Sequence, residues 1–408
     1  MYLIGCGYIL NIQELDYNMV GRRTFFHSAV SGVLCTAGAL SAAELALAEG
    51  RHVNFVDAVA PGSQDSGAAP QHHIRFSVIG VSHDHILGMT AAVIRGGGEL
   101  AAVYAAEPDK RDAFLKRYPQ AKLVNSEDEI LNDSSIQLVL SATIPVERAP
   151  LGIRVMKHGK DYLSDKPGIT TLEQLAHVKK AIAETKKIYA ILYSERLEVK
   201  AAVYAGDLVK QGAIGKVVQT VNLAPHQVNA PSRAAWFWDP QKYGGIICDI
   251  GSHQVDQFLF YTGSKQAEVA YSQIGNFAHP HHPEFQDFGD VTLRGDGGVG
   301  YVRVDWFTPD GLGVWGDGRL FLLGTEGYIE LRKYVDIAGR KGGNHLFIVD
   351  NKDVRYIDCS NVVLPFGPQF VADIVNRTHT AQDQEQCLLA AELVISAQKN
   401  AHRLHVKA

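Results

Sequence analysis

From Ile74 onward, short continuous apolar runs alternate with stretches whose apolar residues recur at helical spacing. Strands are predicted over 74–80 (IRFSVIG), 99–107 (ELAAVYAAE), 136–143 (IQLVLSAT), 161–167 (DYLSDKP) and 188–195 (IYAILYSE). Between them, helices are predicted over 85–97, 108–119, 147–159 and 171–187. Strands that are apolar along their whole length belong to a parallel sheet covered on both faces. Right-handed crossovers then wind the chain into a doubly wound α/β fold, with its ligand crevice at the carboxyl ends of the strands.

After Gly215 the period changes from helical to alternating. Segments 216–227, 266–277, 287–307, 319–332 and 345–359 read as strands joined by tight turns at Asp296–Gly297, Gly297–Gly298 and Thr325–Gly327. One helix is predicted over 244–263 against this sheet, and another over 384–403 that packs back on the fold. The expected architecture is an N-terminal Rossmann doubly wound sheet over 74–195 and a C-terminal α+β domain over 196–385. The final helix, 386–408, closes on both.

Composition changes this picture little. At 408 residues, with 46% hydrophobic and 20% charged residues, the chain has the balance of an ordinary globular protein with two domains. Its formal charge of −5 comes from interspersed acids and bases, and no basic tract points to nucleic acid. No metal site is expected: the histidine-rich stretch His279–Phe285 lacks a carboxylate at recognisable ligand spacing. Five cysteines form neither a disulfide framework nor a zinc pattern.

The N-terminus reads as a processing segment. Arg22–Arg23 with Phe25–Phe26 precede a mildly apolar stretch, and Ala46 and Ala48 frame a cleavage site before Glu49. This resembles a twin-arginine export signal over 1–48, so the mature protein is expected to be periplasmic and free of the membrane. Residues 49–73 are turn-rich and read as an arm or linker.

The first strand-to-helix turn carries the first candidate chemistry. Against the pattern G-x-G-x-x-G the chain offers Gly80, Ser82 and His85, so only the glycine that permits the tight turn is kept. Ser82 still allows close approach of a diphosphate, and His83 is placed to touch phosphate or substrate. Glu107 ends the next strand, where an acid binds adenosine ribose hydroxyls and repels a 2′-phosphate. NAD is therefore expected over NADP. The same acid also suits the start of the helix that follows it.

Three further stretches arrive together. Ser141–Pro167 ends in Asp165-Lys166-Pro167, KQGAIGKVV spans 210–218, and GGIICDIGSHQVD spans 244–256. In order and spacing these resemble the Gfo/Idh/MocA family, which includes glucose–fructose oxidoreductase and inositol dehydrogenase. The resemblance implies a Rossmann domain followed by an open mixed sheet, one face of which often makes an oligomer interface, so a homo-oligomer is expected. It also implies that Thr143 and Lys166 border the cofactor. By the same resemblance His253 is the acid/base, Lys166 its electrostatic partner and Asp249 an orienting carboxylate. The chemistry suits those types: imidazole accepts a hydroxyl proton near neutral pH, and an ammonium stabilises the alkoxide that develops. Departures from the family pattern are Ser82, His85, Asp165 in place of glutamate, and Arg148 in place of a frequent histidine.

Trp236, Trp238 and Tyr243 read equally well as a stacking wall for a sugar ring or as core. The functional expectation is an exported oxidoreductase acting on a carbohydrate CH–OH with a tightly held nicotinamide. Outside the cytoplasm no nicotinamide pool exchanges freely, so the cofactor must be regenerated on the same site. Redox-neutral glycoside hydrolysis through a transient keto-sugar satisfies the same constraint and is the alternative. A sugar- or nucleotide-sensing protein that kept the fold is the third reading, disfavoured by the joint presence of Lys166, Asp249 and His253.

Overall fold

The computed structural model describes residues 55–61 and 70–405, and the export signal expected over 1–48 lies outside the described residues. Strand β1 (Phe55–Val59) falls within the segment read as an arm, yet it pairs in parallel with a strand near the C-terminus. Five residues of mixed polarity at a sheet edge leave little alternation to read.

The first sheet is built as the apolar runs predicted. Its strands are β2 (Ile74–Ile79), β3 (Gly98–Tyr104), β4 (Lys122–Leu123), β5 (Leu138–Ser141), β6 (Asp161–Ser164) and β7 (Tyr189–Ile191). All pair in parallel in the order β4-β3-β2-β5-β6-β7. The order reverses direction at β2 and β5, which places a ligand crevice over their carboxyl ends. Every residue of β5 and β6 is buried, consistent with cover on both faces.

Helix α1 (His85–Arg95) follows β2 and buries Ile86, Met89, Thr90, Ala92 and Val93 on one face. Helix α2 (Pro108–Arg117) begins with proline at its first position, where no backbone donor is lost. Helices α3 (Pro145–Lys157) and α4 (Leu172–Thr185) cover the opposite face, and Thr171 caps α4 by accepting from the Gln174 N–H. Read as the end of a strand, Ser194 and Glu195 instead begin the one-turn helix α5 (Ser194–Leu197), followed by α6 (Lys200–Lys210).

The second sheet holds β8 (Val217–Pro225), β9 (Ala267–Gly275), β10 (Phe288–Gly295), β11 (Val299–Asp305), β12 (Arg319–Gly324), β13 (Gly327–Arg332), β14 (His345–Asp350), β15 (Val354–Asp358) and β16 (His402–Arg403). With β1 it forms a ten-stranded mixed sheet ordered β1-β15-β14-β13-β12-β8-β11-β10-β9-β16. The helix expected over 244–263 is two helices, α7 (Ile246–Asp249) and α8 (Gly251–Thr262). Ile250 between them keeps right-handed helical angles, φ −84° and ψ −48°, so the chain direction is kept.

Two late helices bind the halves together. Helix α9 (Phe366–Asn376) crosses α1 so closely that a Cβ on Gly96 would lie 2.2 Å from the Gly367 carbonyl oxygen. Helix α10 (Gln384–Asn400), capped by Asp383, packs on α4 of the first domain and on α8 and β9 of the second. One continuous apolar cluster therefore runs from Tyr162 and Tyr189 through Phe258 to Val394. The crevice between the sheets is set in a single core.

Candidate active site

The carboxyl end of β2 turns at Gly80, whose φ of +82° lies in the region that favours glycine. A Cβ there would also approach Thr143 Cβ to 2.6 Å, so the turn needs glycine twice over. Ser82 donates its hydroxyl to Glu107 at 2.6 Å, joining the two groups expected to meet the adenosine half of a dinucleotide. Thr143, at the end of β5, donates to Glu147 at 3.0 Å. Lys166 follows β6, and its bond to Pro167 is cis.

The lysine turn is held from below by a residue that sequence reading treated only as a departure. Arg148 is buried on α3; its guanidinium donates to the Thr143 carbonyl at 2.7 Å and to the Lys166 carbonyl, and pairs with Asp165 at 3.0 Å. Asp165, 1% exposed, receives four donors. Its Oδ1 accepts from the Lys166 backbone N–H at 2.7 Å and from His85 Nδ1 at 2.9 Å. Its Oδ2 faces Arg148 and His83 Nδ1, the latter at 2.8 Å. Burial works against the carboxylate, but Arg148 and both imidazoles hold its pKa well below the ordinary value. Burial, with His85 beside it, depresses His83 to about 4.

From the other domain, α7 and α8 bring Asp249 and His253 to the same crevice. Lys166 Nζ lies 2.9 Å from Asp249 Oδ1, with the lysine side chain 4% and the carboxylate 14% exposed. Burial raises the Asp249 pKa, but the Lys166 charge and hydrogen bond outweigh it and leave the carboxyl below its usual range. His253 is buried against Tyr193, with ring centroids 6.4 Å apart, and lies 6.4 Å from the His85 ring. Among the described residues its Nδ1 has no hydrogen-bond partner. Burial holds the imidazole well below its ordinary pKa, with Glu195 as the main opposing charge. A neutral, partly unsatisfied imidazole beside a buried lysine–carboxylate pair can take a proton from a hydroxyl placed among them.

Several neighbours were not legible. Glu195 on α5 binds Lys333 at 2.6 Å, and Lys333 also donates to Gln257 at 2.9 Å, all three being buried. Gln257 in turn donates to the His253 carbonyl at 2.9 Å. His226, just past β8, sits edge-on to Trp306 and Trp315, and burial depresses its pKa to about 4. Only its proximity in the fold marks it.

The aromatic candidates are placed unevenly. Trp238 stacks on His282 at 3.9 Å and packs on Phe285. Tyr243 is fully buried against Phe237 and Phe285, its hydroxyl without a partner among the described residues, and burial pushes its pKa up. Trp236 is half-buried against Phe237. Tyr243 is thus spent on core packing, while Trp236 and Trp238 are both partly buried against the same core. The histidines of 279–285 are dispersed, His279 bonding Asp287 at 2.9 Å. Among the described residues a different trio, His83, His85 and Asp165, gathers its donor atoms within 4.8 Å of one another.

Residues on the crevice fit a dinucleotide. Gly80, with no room for a Cβ, and Glu107 with Ser82 suit the adenosine side of such a group, and Thr143 and Lys166 stand just beyond the ends of β5 and β6. Between them, imidazoles replace the usual small residues.

Comparison with known proteins places the fold. Residues 74–193 match the oxidoreductase family with an NAD-binding Rossmann fold, and residues 203–330 match the GFO/IDH/MocA C-terminal domain. A crystal structure from Erwinia carotovora atroseptica SCRI1043 is 46% identical with a TM-score of 0.79, covering 81% of this chain and 100% of that one. The scyllo-inositol 2-dehydrogenase (NADP(+)) of Bacillus subtilis strain 168 is 26% identical over 187 residues, 46% of this chain and 49% of that protein. The chain spans about half the length, or less, of curated relatives such as this one. A levoglucosan dehydrogenase in complex with NADH shares the fold at 17% identity, TM-score 0.67, covering 81% of this chain and 98% of that one. With an NAD(P)-binding Rossmann domain joined to this second sheet and a structural relative 46% identical over 81% of its length, the chain belongs to the Gfo/Idh/MocA family.

Proposed function

We propose that the protein is an NAD(P)-dependent oxidoreductase that removes hydride from a CH–OH carbon of a sugar or polyol. The observation that carries this reading is the Lys166–Asp249 pair at 2.9 Å, contributed by two domains and flanked by buried His253. Similarity to inositol dehydrogenases and to a levoglucosan dehydrogenase supports a polyhydroxylated substrate.

Gly80, Ser82, Glu107, Thr143 and Lys166 would hold a nicotinamide dinucleotide, which would supply the hydride acceptor. His253, neutral in the folded protein, receives the hydroxyl proton at whichever ring nitrogen faces the substrate. The Lys166 ammonium lies beside the oxygen as negative charge develops there and stabilises it. Asp249 keeps that ammonium in place and accepts from a neighbouring hydroxyl. Burial of all three strengthens these interactions over their value in water. Glu107 favours NAD, since its carboxylate opposes a 2′-phosphate. Export and retention of the cofactor through turnover belong to the same proposal and rest on the N-terminal sequence.

The test is to supply the purified full chain with NAD or NADP and a panel of polyols and sugars, following the absorbance of reduced nicotinamide. Reduction with at least one polyol is expected. Cofactor binding without reduction by any member of the panel would count against the enzymatic reading.

A further inference from the structure

His83 and His85 stand at and beside positions where a dinucleotide turn carries small residues, and the turn itself closes on Gly80 without them. Both imidazoles nevertheless reach one carboxylate, 80 and 82 residues further along the chain. His83 Nδ1 lies 2.8 Å from Asp165 Oδ2 and His85 Nδ1 lies 2.9 Å from Oδ1, with the rings edge-on and their centroids 4.2 Å apart. Arg148 and the Lys166 N–H already serve that carboxylate. With the two imidazoles, each carboxylate oxygen faces two donor groups, one of them a ring nitrogen that can equally ligate an ion.

The same spacing has another meaning. Nitrogen and oxygen ligands bound to one ion at about 2.1 Å lie about 3 Å apart. Two histidines one residue apart, joined by a carboxylate from a neighbouring strand end, give two imidazoles and one carboxylate. That mixed nitrogen and oxygen set suits first-row transition ions better than magnesium or calcium. A cavity of about 240 Å³ opens on the same groups; His85 and Asp165 line it with Asp84, Ser194 and Glu198. It offers room and oxygen atoms for water around an ion. Arg148 remains behind Asp165 as the outer partner that fixes the carboxylate, a usual accompaniment of ligating groups.

We propose that His83, His85 and Asp165 bind one divalent transition-metal ion, with its remaining positions open to water or to oxygen atoms of a ligand in the crevice. Binding replaces the two imidazole-to-carboxylate hydrogen bonds by metal–ligand bonds, each ring then carrying its proton on Nε2. No covalent bond of the chain changes and nothing is oxidised. The site lies beside Lys166 but does not depend on the oxidoreductase reading.

The full chain, stripped with chelator, is titrated with cobalt(II) chloride by calorimetry and visible absorption. One ion per chain is expected, with absorption bands of nitrogen ligation. His85→Ala is expected to weaken binding at least tenfold, and His83→Ala likewise. His281→Ala, in the other histidine-rich segment, is expected to leave binding unchanged. The His85 side chain is 41% exposed, so His85→Ala tests the site with the fold intact, which thermal melting checks. Absence of stoichiometric cobalt binding overturns the proposal, as does binding that survives His85→Ala or is lost in His281→Ala.

Discussion

Lys166 and Asp249 are 83 residues apart in the chain and 2.9 Å apart in the fold. One ends a strand of the first sheet and the other ends a short helix against the second. Their contact therefore reports directly on how the two domains are set. If the ammonium stabilises an alkoxide, Lys166→Met should reduce kcat about 100- to 1000-fold, the range found for removing one such stabilising group. Binding of the nicotinamide cofactor, measured by calorimetry, should change much less. Activity within a few-fold of the parent would remove Lys166 from the chemistry.

Glu107 gives a separable test of the cofactor end. Its carboxylate takes the Ser82 hydroxyl at 2.6 Å and stands at the end of β3. Glu107→Ser removes a charge that opposes a 2′-phosphate, so the ratio of NAD to NADP affinity should fall by about tenfold, about 1.4 kcal/mol. An unchanged ratio would place the adenosine ribose elsewhere.

The turn at Gly80 makes a third prediction. Gly80→Ala forces a Cβ to within 2.6 Å of Thr143 Cβ at a positive φ. The turn must shift, and cofactor binding should weaken strongly while the second domain stays folded. Destabilisation of about 1–3 kcal/mol is expected from the backbone strain alone, read by urea denaturation. A variant with parental cofactor affinity would show that the diphosphate does not cross this turn.

How much of this was legible depended on distance along the chain. The first sheet could be read because runs such as Val78–Ile79 and Leu138–Leu140 are continuous rather than alternating, and strands buried on both faces are written that way. Lys166, Asp249 and His253 sit in local patterns that announce them. Arg148 does not: its role appears only where α3 passes beneath the lysine turn. The His83–His85–Asp165 cluster was likewise hidden, because its carboxylate comes from another strand. Helix α9 was missed since FGPQFVADIVN opens with a glycine and a proline, which punctuate rather than propagate a helix. Tyr243 shows the converse: a sequence rich in rings does not say which of them fill the core.

The buried Glu195–Lys333 pair extends the argument from chemistry to stability. Burial alone would raise the Glu195 carboxyl, yet Lys333 at 2.6 Å brings it down to about 2 from an ordinary 4.5. A carboxyl whose folded pKa lies below its unfolded value stabilises the fold above the unfolded value. That contribution fades as pH falls from about 4.5 through 2. The difference corresponds to about 3 kcal/mol for a fully buried group. Glu195→Gln removes the titration and leaves Lys333 without its counter-charge, so it should destabilise by about 3–5 kcal/mol at neutral pH. The gap between parent and variant should narrow progressively below pH about 4.5, as the parent carboxyl takes up its proton. Urea denaturation across this range reads the gap directly. Were the gap to stay constant with pH, the Glu195 carboxyl would titrate alike in the folded and unfolded protein, and Lys333 would not be holding it ionised.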